Sequence, residues 1–341
     1  MSKLGYLAKV ASGMSFDKLK YTVGVAHEKS GKPKILIVAD MAWCALAYGA
    51  GYYDYVIFGY WGLSHAKRKT ILTRLANKKL IDLVDEPDAH QFFDQKSKFY
   101  RRFGEFLGRD TLIVEDSNAE EFAAFFVKHS TIIVKPDVGW SGKGIRKLEI
   151  GDYPTKESLA DLWDELLATD IGVIDEVIIQ HPQVGALNPT SVNSLRMVTF
   201  VNYDGTPEYI YSVIKMGGVG AFVDNQESGG LHCPLDPKTG KVFGIAHTAD
   251  YVPFDRHPAT GVEFVGYTIP MVKEAIELCL KAALVEPRIR YVGWDVAITE
   301  AGPVIIEGNS YPGTDFWQLP EYGDQEFGLR EWFKQRVPSY T

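Results

Sequence analysis

The chain has 341 residues, 46% of them hydrophobic and 13% aromatic, and a formal net charge of −8. That length and apolar content can bury a large core divided over two or three subdomains. The acidic balance argues against a general nucleic-acid or anionic-membrane partner, since both reward basic surfaces.

Three cysteines, Cys44, Cys233 and Cys279, lie far apart in no Cys-x-x-Cys or Cys/His spacing, which excludes a disulfide framework or a zinc site as the organising element. The first residues lack the apolar stretch of a signal peptide. The aromatic run from Met41 to Tyr53 is too short to span a bilayer and is flanked by Asp40 and Asp54. A cytoplasmic protein without a membrane span is the expectation.

In chain order, Lys34 to Asp40 predicts a short strand, and the segment after it, through Leu63, is dense in aromatic residues. His65 to Leu80 carries Lys67, Arg68, Lys69, Arg74, Lys78 and Lys79 around an apolar stripe, which predicts one solvated basic helix. A further helix runs from about Asp94 to Leu107. Ser117-Asn-Ala-Glu120 reads as a capping box opening a helix with Phe122, Phe125 and Phe126 inward.

Strands follow at Thr131 to Val134 and Ile145 to Ile150, then a helix at Lys156 to Ala168 and a buried strand at Glu176 to Gln180. Leu195 to Val201 and Tyr209 to Lys215 form a hairpin turning at Asp204-Gly205. Ile269 to Leu284 is an amphipathic helix. Hairpins mixed with helices indicate an α+β chain, divided at 1–95, 96–182 and 183–341.

The chemistry concentrates in two places. In Tyr291 to Gly313 a hairpin turning through Glu300-Ala301-Gly302, with Thr299 facing Pro303, puts Asp295 opposite Glu307. Asn309 shares their face, while Trp294, Val296, Ile298, Val304 and Ile306 point to the core. Opposed carboxylates destabilise a hairpin unless a cation lies between them, and an all-oxygen set suits Mg²⁺.

The second place is a strand that delivers Lys135-Pro136 into the loop Gly139-Trp-Ser141-Gly142-Lys143-Gly144. Glycines there let backbone N–H groups approach phosphate oxygens. The GxxxxGK[ST] pattern of a P-loop is absent. Arg196 and Lys215, at the same end of their hairpin, suit triphosphate charge.

These ordered motifs resemble the ATP-grasp superfamily. Asp295, Glu307-x-Asn309 and Pro312-Gly313 are similar to its metal-binding end. The resemblance narrows to the sugar-transfer-associated family, related to alpha-L-glutamate ligases, through six stretches: Tyr55 to Leu63, the Lys98-Phe-Tyr-Arg-Arg-Phe helix, Asn188 to Arg196, Gly229-Gly230, His257-Pro258 and Gly293-Trp294-Asp295.

The resemblance implies two α+β subdomains gripping ATP, with an N-terminal α/β subdomain. Lys98, with Lys96 as the nearby alternative, and Lys135 would hold phosphates, and Gln180, His181 and Gln183 would meet adenine. Asp295, Glu307 and Asn309 would hold two Mg²⁺ ions, and Arg196, Lys215 and His232 would be catalytic. Arg256 and His257 would add to the substrate side.

Two positions depart from the family pattern. Leu187 or Asn188 stands where an acid usually holds the ribose, and Gly293 stands where peptide ligases carry Arg. The implied activity is an ADP-forming carboxylate–amine or carboxylate–thiol ligase using small substrates, in cell-surface polysaccharide or related biosynthesis; a homodimer is compatible with it. A sugar kinase and a nucleotide-binding accessory protein are the alternatives.

Overall fold

A computed structural model describes residues 15–139, 142–221, 229–248, 252–315, 317–322 and 328–340. The chain separates into two compact units, Met1–Val84 with Gly313–Thr341, and Asp85–Pro312. The sequence division had kept 313–341 with the preceding residues.

In the first unit the described residues of 15–84 form helices joined by short turns and loops. Helix α1, Phe16–Ser30, is capped by the Ser15 hydroxyl and closed by Gly31. Helix α2, Lys34–Tyr48, replaces the expected strand. The apolar run does not stop at Asp40 but continues through Ala-rich sequence. Ile37, Met41, Cys44 and Tyr48 bury at helical spacing.

Helix α3, Tyr52–Ile57, follows, and the expected basic helix is two: α4, His65–Thr70, and α5, Arg74–Val84. Gln318 explains the break. Its Oε1 accepts from the backbone N–H groups of Leu72 and Leu329, and its Nε2 donates to the carbonyls of Leu72 and Thr314. The Leu72 backbone is thus paired outside a helix, and 313–341 is fastened to α4 and α5. A fork of Arg68 on Asp40, at 2.7 and 2.8 Å, ties α4 to α2, and the Tyr55 hydroxyl donates to the same carboxylate.

The second unit holds two antiparallel sheets among the described residues. The smaller comprises β1, Thr111–Ile113, β2, Thr131–Pro136, β3, Arg146–Glu149, and β4, Ile171–Glu176, in the order β1-β4-β2-β3. Helix α6, Lys96–Leu107, precedes this sheet, and α7, Ala119–His129, and α8, Lys156–Leu167, cover it. Phe122, Phe126, Trp163 and Leu166 form its core. The capping box is one residue later than predicted. Asn118 caps α7 with Glu121 as its partner, while Ser117 bonds back to the Ile113 carbonyl.

The larger sheet is β11-β10-β5-β6-β7-β8-β9. Its strands are β5, Ser194–Val201, β6, Pro207–Met216, β7, Leu231–Pro234, β8, Ala246–His247, β9, Pro253–Phe254, β10, Tyr291–Thr299, and β11, Gly302–Asn309. Helix α9, Val272–Ala283, and α6 pack on one face. Phe99, Phe103, Trp294, Met197 and Cys279 fill that interface. The opposite face is left for polar groups.

Asp85 joins the start of β10 to the segment before α6. Its Oδ1 accepts from the N–H groups of Arg290 at 2.7 Å and Tyr291 at 3.4 Å, while Oδ2 is buried with no hydrogen-bond partner among the described residues. Burial pushes this carboxyl up to about 7. A folded value above the unfolded one means stability falls as pH rises from about 4 to about 7, then levels. Asp85→Asn keeps the acceptor and removes the charge. Thermal melts should find the variant more stable than wild type above pH 7, by on the order of 3 kcal/mol, with the gap closing toward pH 4.

Candidate functional site

The β10–β11 hairpin places Asp295 opposite Glu307 and Gly293 opposite Asn309. The route differs from the expected one. Thr299 pairs with Gly302, so the turn holds two residues rather than three, which alone would bring Ile306 to Asp295. Ile306 is bulged out of β11 between the Asp295–Glu307 and Val296–Ile305 pairs, and this restores the carboxylate pair. The bulge also changes which side chain is core: Ile305 is fully buried beside Val296 and Trp294, and Ile306, expected there, is not.

From this pair a row of polar side chains crosses the sheet. Asp295 lies opposite Arg196, Lys215 opposite His232, and His232 opposite His247. Arg196 forks onto Asp295, Nε to Oδ1 at 2.5 Å and Nη2 to Oδ2 at 3.0 Å, and Lys215 Nζ reaches Oδ2 at 2.9 Å. Burial would raise the Asp295 carboxyl, but the charges of Arg196 and Lys215 outweigh it and hold the group well below the usual range.

Glu307 is in the opposite state. Burial and the neighbouring Asp295 charge push it up, and it has no hydrogen bond or ion pair among the described residues. Asn309 donates from Nδ2 to the Gly293 carbonyl at 3.4 Å, which leaves Oδ1 as an acceptor. Glu307 and Asn309 therefore offer open oxygens to a hard cation, and Asp295 would share oxygens already held by two side chains. The donor set fits magnesium.

Gly293 has a steric reason. A Cβ there would lie 3.2 Å from Arg196 Cδ and 3.1 Å from Pro312 Cβ. The Arg196 side chain occupies the space that a larger residue at 293 would need.

On the other sheet, Lys135 is buried and bound to Asp175 at 2.5 Å, with the Tyr100 hydroxyl donating to the same oxygen at 2.7 Å and Arg109 at 3.4 Å. Burial would lower the Lys135 ammonium, but Asp175 more than compensates and raises it. The start of the Gly-rich loop is fixed to α6: Asp137 accepts the Lys96 N–H on its carbonyl and the Ser97 N–H on its carboxylate.

Lys96, rather than Lys98, faces this loop. Its Nζ donates to the Gly139 carbonyl at 3.2 Å, while Lys98 turns to Gln91 Oε1 at 2.6 Å. Burial lowers the Lys96 ammonium, with the Glu307 charge among the groups opposing that shift. Lys96 is therefore in contact with the loop and within the electrostatic influence of Glu307. Gly142 and Gly144 take positive φ, and Lys143 is exposed. Ser141 lies outside the described residues, as do residues 225–228.

The expected strand at Glu176 to Gln180 is instead β4, ending at Glu176, with irregular chain beyond it. The reason is pairing: Ile171 to Glu176 fills the place between β1 and β2. Gln180 spends its amide internally, donating to the Ser191 carbonyl and accepting the Asn193 N–H. His181 Nδ1 accepts the Gln183 N–H, and Gln183 donates to the Thr268 carbonyl. His257 bonds the Gly217 carbonyl from a buried position, and Arg256 pairs with Glu263 on the surface. These contacts give them structural partners.

Asp175, Tyr100 and Arg109 were not anticipated. The available signal was Asp175 itself, a charge inside the apolar run IGVIDE.

Among protein families, the one described as sugar-transfer associated ATP-grasp matches residues 75–326. No curated protein matches the chain. Similar solved structures include D-alanyl-alanine synthetase A from Vibrio cholerae O1 biovar eltor, at 13% identity over 75% of this chain and 67% of that one, TM-score 0.46. The ATP-grasp ligase PsnB complexed with minimal precursor, Mg and ADP matches at 14% over 67% and 54%, TM-score 0.39. N5-carboxyaminoimidazole synthetase from Staphylococcus aureus complexed with ADP matches at 11% over 68% and 48%, TM-score 0.43. The chain spans about half the length of the latter two.

Because Glu307 is raised on folding, its charge costs stability once pH exceeds the ordinary glutamate range. Glu307→Gln should melt above wild type at neutral pH without added metal, and the gap should close in acid. Mg²⁺ should raise the wild-type melting temperature and leave the variant unmoved; an equal rise in both would contradict the assignment of the open oxygens.

Proposed function

The chain belongs to the sugar-transfer associated ATP-grasp family, whose α+β fold it shares, and from that premise we propose that it is an ADP-forming ATP-dependent ligase acting on a small carboxylate. One observation carries the reading. Lys96 donates to the Gly-rich loop and its ammonium feels the Glu307 charge, while Arg196 and Lys215 both bind Asp295, the partner of Glu307 across the hairpin. Cations gathered about an acidic pair suit a polyphosphate chain with its metal.

In this reading Glu307, Asn309 and Asp295 hold magnesium, which neutralises phosphate charge when bound. Lys96, Lys135 and the loop 139–144 position the phosphates. Arg196 and Lys215 face the transferring phosphoryl group, where preformed positive charge is worth most. A carboxylate oxygen attacks the γ-phosphorus and the bond to the β-phosphate oxygen breaks, giving ADP and an acyl phosphate. An amine nitrogen then attacks the acyl carbon, phosphate leaves with the bonding pair, and the nitrogen loses a proton. His232, buried next to Lys215 on the neighbouring strand, orients the acceptor side. The amide product, and a role in cell-surface polysaccharide assembly, are the parts of this reading that rest on the family resemblance alone.

Hydroxylamine with Mg-ATP and a panel of amino acids, uronic acids and short peptides tests the reaction class. A hydroxamate formed together with ADP is the expected result; a phosphorylated alcohol with no hydroxamate would make the protein a kinase. Steady-state kinetics should show that Lys96→Ala raises KM for ATP roughly tenfold or more while Lys98→Ala changes it little, since only Lys96 faces the loop. Glu307→Ala should abolish turnover with the fold intact, and undiminished ADP release would remove the metal assignment.

A further inference from the structure

Helix α2 is apolar around most of its circumference, Lys34 and Asp40 being its only charged residues. Its buried stripe, Ile37, Met41, Cys44 and Tyr48, packs within its unit. On the other half of the circumference, Ile35 is 77% exposed, Leu36 58%, Val38 45%, Trp43 55% and Leu46 49%, with the exposed alanines 39, 42 and 47 between them. Phe16 and Tyr21 on α1 are exposed as well, at 81% and 61%. A helix with apolar residues on both its buried and its exposed faces requires cover.

Charge indicates what supplies that cover. Residues 1–84 carry 13 Lys and Arg against 5 Asp and Glu. With 313–341 the first unit carries 16 against 10, whereas the second carries 20 against 34. The whole-chain value of −8 conceals a basic unit attached to an acidic one. Exposed Lys18, Lys20, Lys29 and Lys34 lie on the same two helices as the apolar face. At 15 residues α2 is roughly 22 Å long, short of the ~30 Å hydrocarbon core, and no helix among the described residues is long and apolar enough to cross a membrane.

We propose that α2 lies along an anionic bilayer surface. Ile35, Leu36, Val38 and Leu46 enter the headgroup–acyl boundary, Trp43 anchors at the interface, and the lysines meet lipid phosphates. A second copy of the same face would set basic surface against basic surface, which repulsion disfavours.

Flotation of the full chain with phosphatidylcholine vesicles, with and without phosphatidylglycerol, tests this. Binding should need the anionic lipid and weaken with salt. The double variant Trp43→Asp with Leu46→Asp, at exposed positions and with unchanged helical circular dichroism, should bind at least roughly tenfold more weakly. Lys18→Glu with Lys20→Glu and Lys29→Glu should lose the dependence on anionic lipid. The proposal is overturned if wild type does not float, if the double variant floats equally, or if wild type is a dimer in solution that the double variant dissociates.

Discussion

Two carboxylates facing each other across a hairpin are a constraint that the rest of the unit must answer. Asp295 is answered inside the protein, by the Arg196 fork and by Lys215. Glu307 is not, and its carboxyl is pushed up in consequence. The asymmetry leaves one carboxylate of the pair bound by protein cations and the other with open oxygens.

The surrounding elements follow from keeping that row in place. Gly293 yields its side-chain space to Arg196. The bulge at Ile306 offsets the short turn and preserves the carboxylate register. On the other sheet, the Asp175–Lys135–Tyr100–Arg109 cluster fixes the lysine one residue before the end of β2, and Asp137 pins the loop to the first turn of α6. Arg196 and Lys135, both largely buried, are each held by a carboxylate, which fixes where their charge is presented.

Much of this was legible in the sequence, for physical reasons that differ by element. The hairpin pairing could be read because side chains alternate with period two and turn residues are few. The prediction reached the right carboxylate pair through a turn one residue too long, which the unforeseen bulge cancelled. The helices carrying Phe122 and Leu162 were legible from their spacing, with the cap of the first read one residue early. Helix α2 was not. A short apolar run has no period that separates strand from helix, and the alanines beyond Asp40 were the evidence that decided it. The choice between Lys96 and Lys98 was likewise closed to the sequence, since both begin the same helix and only the loop's position distinguishes them. Gln180 illustrates the reverse: a residue type suited to adenine has its amide taken up by Ser191 and Asn193.

The central claim is that the row from Glu307 to Lys215, with Lys96, is a site for magnesium and a nucleoside triphosphate. Calorimetric titration with a non-hydrolysable ATP analogue tests it most directly, on wild type and on Glu307→Ala, each with and without Mg²⁺. The account predicts that Mg²⁺ strengthens binding to wild type and has no such effect on the variant. Equal affinity in the two proteins, or wild-type binding indifferent to Mg²⁺, would contradict it.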